Sequence, residues 1–259
     1  MYLLLSPAKN LNEKTTPPIA LTTSTPPLLT QSAKLIARLK QLDAIDLQEL
    51  MSISAKIAEQ NALRNQAWHY PYADNPHAKA CLYLFDGDAY KGLDAYSLTQ
   101  TQVSYLNTHL GILSGLYGIL KPLDAILPYR LEMGTKLTVD NHDTLYQFWG
   151  DTITNIVNER LAQSGSDVLV NLASTEYFGV IEPSAVHGQI ITPRFEDCKN
   201  GTYKVISFYA KRARGLMARF AAVNAITDVN DLKAFDSEGY YFDKSVSDAT
   251  TWVFRRDDS

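Results

Sequence analysis

Residues 188–208 read GQIITPRFEDCKNGTYKVISF. Two runs that alternate apolar and polar residues flank Asn200-Gly201. That dipeptide suits the positive-φ positions of a two-residue hairpin turn, so two antiparallel strands are expected here. Elsewhere strands alternate with helices, which alone would give a parallel sheet. The two signals together predict an α/β fold of mixed α+β character, a mixed sheet with helices packed on it.

Working outward, 167–173 (DVLVNLA) reads as a buried strand, and 174–181 (STEYFGVI) as a short helix that Ser174 or Thr175 would cap. Residues 143–165 carry the periodicity of one long amphipathic helix ending at Gly165. A helix over 208–226 follows the hairpin, with closing strands in 239–243 and 250–256. Toward the N-terminus a strand is expected at Tyr2–Leu5, and helices at about 28–41, 54–69 and 99–108. Residues 110–114 and 127–133 read as strands on either side of a stretch crowded with Gly and Pro, and 84–96 (LFDGDAYKGLDAY) fits no single pattern. Residues 12–27, rich in Thr and Pro, are expected to be an irregular surface insertion. No repeat or linker divides the chain, so residues 1–259 are read as one domain.

With 46% hydrophobic and 20% charged residues, the composition is that of a globular protein with a sizeable core. The net charge of −4 provides no global field to attract a polyanion, so any such site must be local. Cys81 and Cys198 match no redox or zinc spacing, which fits a reducing compartment. The apolar run after Met1 is too short for a signal peptide, and no later run has the length of a membrane span. A cytoplasmic protein without membrane contact is expected. The five histidines show no ligand pairing, and no glycine-rich nucleotide fingerprint occurs, so neither a metal nor a cofactor is expected.

Three segments carry candidate chemistry. In 208–220 (FYAKRARGLMARF), Lys211, Arg212, Arg214 and Arg219 fall within an arc of roughly 160° on a helix, opposite Tyr209, Ala213, Leu216, Met217 and Phe220. Such a face can be merely solvated, but Gly215 in its middle implies close approach by a partner strand or a ligand. Ser174, Thr175, Glu176 and Tyr177 follow the end of a buried strand, where α/β sheets bind ligands; the alternative is that Ser174 only caps and Glu176 only neutralises an arginine. Ser6, Pro7 and Lys9 follow another strand in the same way. Ser114, in LSGLYG, lacks the order of a nucleophile elbow.

SPAK (6–9), ILSGLYGILKPLDAILPYRLEMG (112–134), LYQFWGD (145–151), NLASTEY (171–177) and FYAKRARGLMARF (208–220), in this order, resemble the YaaA family of bacterial peroxide-stress proteins from Met1 to about Arg255. The resemblance implies a cytosolic role in resisting hydrogen peroxide by limiting free iron and its damage. It also implies a single-domain α/β fold with a positively charged cleft, and DNA binding assisted by a helix-hairpin-helix-like element. Gly115, Gly118 and Lys121 resemble such an element, although its turn usually reads G-apolar-G; the alternative is that Gly115 and Gly118 only route the backbone, with Arg130 and Glu132 forming an internal pair. On the DNA reading, Lys9, Gly115, Gly118, Lys121, Arg130, Lys211, Arg212, Arg214 and Arg219 contact backbone phosphates without strong sequence preference. The alternative is an enzyme acting on a small anionic or nucleotide-like substrate in the same basic cleft, with Ser114, Tyr117, Glu176 and Tyr177 as its catalytic candidates. Iron sequestration is the third and weakest reading, having no ligand cluster behind it.

Overall fold

In a computed structural model, which describes residues 1–19, 22–71 and 75–257, the chain begins with strand β1 (Tyr2–Leu5). All four of its residues are buried, as a strand covered on both faces requires. A short β2 (Asn10–Leu11) precedes helices α1 (Leu29–Leu39), α2 (Ala44–Met51) and α3 (Ala55–Ala67). Next come β3 (Lys79–Ala80), the single turn α4 (Cys81–Leu84), β4 (Phe85–Asp86), α5 (Asp88–Leu93) and α6 (Gln100–His109). The hairpin of β5 (Leu110–Ser114) and β6 (Gly118–Leu120) follows, then β7 (Ala125–Ile126), α7 (Leu145–Trp149) and α8 (Thr152–Gln163). The last part comprises β8 (Val168–Leu172), α9 (Thr175–Phe178), β9 (Gln189–Lys199), β10 (Thr202–Lys204), α10 (Ser207–Val223), β11 (Tyr241–Phe242) and β12 (Thr251–Arg256).

The main sheet runs β11-β12-β9-β8-β1-β5-β6, with β10 paired to β9. Its five inner strands are parallel, while β6, β10 and β11 join antiparallel, so the sheet is mixed. Asn200 (φ 55°) and Gly201 (φ 73°) form the expected turn, with Lys199 opposite Thr202. One continuous apolar cluster holds the sheet to its helices.

Three points differ from the sequence reading. Residues 127–133 form no strand: Pro128 has no N–H to offer a ladder, and the segment runs irregularly through the interior. Residues 143–165 form two helices, because the chain turns at Gly150 with φ 45°. Helix α2 was not expected; its local signal is the Asp43–Asp46 capping box. The 12–27 insertion is irregular but tied down, since the Ser24 hydroxyl donates to the Asp124 carboxylate at 2.6 Å; its residues 20 and 21 lie outside those described.

Candidate functional site

After β1 the chain crosses to β5 on one side, whereas after β8 it passes to β9 on the other. The C-terminal ends of β1 and β8 therefore flank a topological switch point, where open α/β sheets leave a crevice for ligands. A cavity of about 420 Å³ occupies it. Its walls are Ser6–Asn10 after β1, the Asp86–Lys91 segment, the turn of α9, and Lys211 and Arg214 from α10.

Helices α5 and α10 meet almost backbone to backbone. A Cβ on Gly215 would lie 1.7 Å from the Ala89 carbonyl oxygen, and one on Gly92 would lie 2.3 Å from the Arg212 carbonyl oxygen. The neighbour that Gly215 accommodates is thus a helix of the same chain, neither a strand nor a ligand. This close packing brings Lys211 and Arg214 to the same cavity as Asp86 and Asp88.

Arg214 is half-buried and lacks any ion pair or hydrogen bond to the described residues; burial alone pulls its pKa down. Lys211 is exposed beside it and equally unpartnered. Lys9 is held at the rim by Glu132 at 2.7 Å, and the other Glu132 oxygen takes Arg130 at 2.9 Å. Ser174 caps α9, as expected, and its N–H donates to the Ser6 Oγ at 2.9 Å. Ser6 also receives the Tyr90 hydroxyl on its carbonyl, at 3.1 Å. Glu176 is exposed, one of its oxygens accepting the Gly134 N–H at 3.0 Å. Burial, then the nearby Glu176 and Glu132, pushes the Tyr177 hydroxyl far up, so it stays protonated.

Residues 130–134 thus act as a strap behind the cavity, tying Lys9 through Glu132 and Glu176 through the Gly134 amide. Gly115 explains part of the glycine-rich stretch before it: a Cβ there would meet the Leu131 carbonyl at 2.3 Å, so the β5–β6 turn can press on the strap only without a side chain.

The other expected residues lie elsewhere. Residues 112–120 are buried in a β-hairpin, so Gly115 and Gly118 sit between strands, not between the two helices that a helix-hairpin-helix element needs. Gly118, at φ 70°, packs against Leu28 and Trp149. Ser114 is spent inside this turn, 2.6 Å from the Tyr129 hydroxyl and accepting the Tyr117 N–H. The Tyr117 hydroxyl is buried and accepts from the Trp68 indole at 2.9 Å. Lys121 leaves β6 in the direction opposite to the end of β1. Arg130 pairs with Glu132, the alternative to its phosphate contact. Arg212 is locked on Glu238, and Arg219 donates to the carbonyls of Leu93 and Asp94. Tyr209, placed with the core from its helical position, is exposed under the Arg256 guanidinium.

Sequence reasoning missed Asp86, Asp88, Tyr90 and Lys91, all in the stretch that fitted no pattern. The available signal was Asp-Gly-Asp; at Gly87 a Cβ would come 3.0 Å from that of Ala8. The cleft is therefore of mixed sign, with Lys9, Lys91, Lys211 and Arg214 facing Asp86, Asp88 and Glu176. Among the described residues no three His, Cys, Asp or Glu side chains are grouped to hold a metal ion, and no helix is long and apolar enough to cross a membrane.

The sequence profile described as peroxide stress protein YaaA matches residues 1–246. A UPF0246 protein of Psychrobacter cryohalolentis is 55% identical, covering 100% of this chain and 99% of its own. UPF0246 proteins of Aliivibrio fischeri (strain MJ11) and Neisseria gonorrhoeae (strain NCCP11945) are 50% and 51% identical, over 100% and 99% of this chain and 99% and 98% of theirs. With its α/β sheet and all five motifs in place, the chain belongs to the peroxide stress protein YaaA family.

Proposed function

We propose that this member of the peroxide-stress family works on a small anionic, nucleotide-sized substrate held at the switch-point cavity. The observation that carries the reading is Arg214. A half-buried guanidinium with no partner among the described residues, opening on a cavity, is placed to take its countercharge from a ligand. A cavity of about 420 Å³ is in the range of small-molecule sites and far too small for a duplex. In this reading Arg214 and Lys211 bind the anion, with Ser6 and Ser174 beside it. Glu176, exposed and held by one oxygen, is the general base, and Tyr177, kept protonated, is a hydrogen-bond donor to the substrate.

The test is calorimetric titration of the protein and of Arg214→Met with inorganic phosphate and nucleoside monophosphates. A charge-assisted contact contributes about 1.5–3 kcal/mol, so the variant should lose about 10- to 100-fold in affinity. Absence of binding by every small anion, or binding indifferent to Arg214, refutes the reading.

One observation favours the second reading, contact with DNA phosphates: Lys9, Lys91 and Lys211 all stand at the mouth of the cavity. Its test is salt dependence. Lys211→Ala should shallow the slope of log affinity against log salt by about 0.9. Arg212→Ala and Arg219→Ala should leave it unchanged, because those guanidinium groups are already committed within the chain.

A further inference from the structure

The cavity carries uncommitted charge of both signs. Arg214 and Lys211 come from α10, while Asp86 and Asp88 come from the segment entering α5. Neither aspartate makes an ion pair or a side-chain hydrogen bond with the described residues. Asp88 lies in the field of Arg212, but that guanidinium is held by Glu238. Asp86 forms no ion pair with a described residue; it stands half-buried at the end of β4, whose backbone pairs Asn10 with Asp86. A site built only for phosphate would place no free carboxylates in its wall, since they repel the ligand. Half-buried carboxylates without partners call for N–H donors, as the arginine calls for an anion.

The remaining wall is apolar. Leu5, Pro7, Ala8, Ala89 and Leu172 give a ring or carbon skeleton a dry surface between the two charged regions. Ligand sites commonly combine such a lining with a few polar groups that fix orientation.

We infer that the ligand is amphoteric: a phosphate-bearing small molecule whose other end presents an amine or amino-substituted ring to Asp86 and Asp88. This rests on the anion reading above and deepens it. Ligand specificity is then divided, with α10 selecting the anion and the Asp86–Asp88 segment selecting the nitrogen donors. A carboxylate wall of this kind discriminates strongly, because an oxo group in place of an amine sets lone pairs against lone pairs.

Matched probes test it by titration calorimetry. AMP and IMP differ in carrying an amino or an oxo group on the same ring position, as do CMP and UMP. O-phosphoethanolamine carries phosphate and amine without a base, and inorganic phosphate carries the anion alone. The amino member of at least one nucleotide pair, or O-phosphoethanolamine over inorganic phosphate, should bind at least tenfold more tightly. Which arm responds separates a nucleotide from an aliphatic amine phosphate. Asp86→Asn should erase that preference while leaving affinity for inorganic phosphate intact or higher. Since the Asp86 side chain makes no hydrogen bond or ion pair with a described residue, the variant is expected to fold, and Asp88→Asn provides a second reading of the same wall. Phosphate binding without any amine preference, or a preference untouched in both variants, overturns this inference and leaves the anion site standing. Failure of every phosphate compound to bind overturns both.

Discussion

Replacing Gly215 with alanine tests the packing that builds the cavity. In an isolated helix the change would help, by about 1 kcal/mol of propensity. Here the new Cβ would fall 1.7 Å from the Ala89 carbonyl oxygen, 2.6 Å from its carbon and 2.9 Å from the Leu93 nitrogen. Ordinary non-bonded spacing is about 3.5 Å, so α5 and α10 would have to separate by well over an ångström. The obstruction is backbone and cannot rotate away as a side-chain tip would. Overpacking costs about 1–3 kcal/mol, occasionally more. Taken at its upper end, and reduced by the propensity gain, it leaves a net loss of about 2 kcal/mol, or roughly 4–8 °C in melting temperature for a chain of this size. Thermal unfolding followed by circular dichroism measures it. Gly165→Ala is the control, because a Cβ there meets nothing within 4 Å and only the φ of 65° is strained. A Gly215→Ala protein that melts at or above the parent's temperature would refute the close approach, and with it the account of how Arg214 reaches the cavity.

Other outcomes follow from the same geometry. Arg214→Met should raise the melting temperature of the ligand-free protein by a few degrees, since it removes an uncompensated cation while keeping its packing stem. Glu132→Gln should cost about 1–3 kcal/mol in urea unfolding, because it weakens both Arg130 and Lys9 contacts at a mostly buried oxygen pair. Gly115→Ala should destabilise the fold through its 2.3 Å approach to the Leu131 carbonyl. Asp243 is held below the usual carboxylate range chiefly by the Ser245 hydroxyl, and Asp248 chiefly by the Thr251 N–H. Their folded values lie below the unfolded one, so their stabilisation is present above about pH 4 and is lost as pH falls through the depressed values. Carboxyl NMR titration should find both midpoints low, with Ser245→Ala raising that of Asp243.

Local signals settled much of the architecture. Asn200-Gly201 determined the hairpin because only such residues take two successive positive φ values cheaply. The apolar run Tyr2–Leu5 announced a strand, and Ser174-Thr175 announced the start of α9. The C-terminal ends of the predicted strands pointed to the region where the cavity lies. Which charges serve the site was decided elsewhere. Lys211, Arg212, Arg214 and Arg219 share one helix and one chemistry, yet Arg212 meets Glu238 and Arg219 meets the end of α5, while Lys211 and Arg214 meet open space. Segments distant in sequence impose that division, and periodicity along α10 contains nothing about them. The same holds for Asp86 and Asp88, whose place beside Lys211 and Arg214 depends on two glycines letting α5 and α10 touch. Backbone conformation is a short-range property of the chain, whereas the state of a charge is fixed by whatever the fold places within a few ångströms of it.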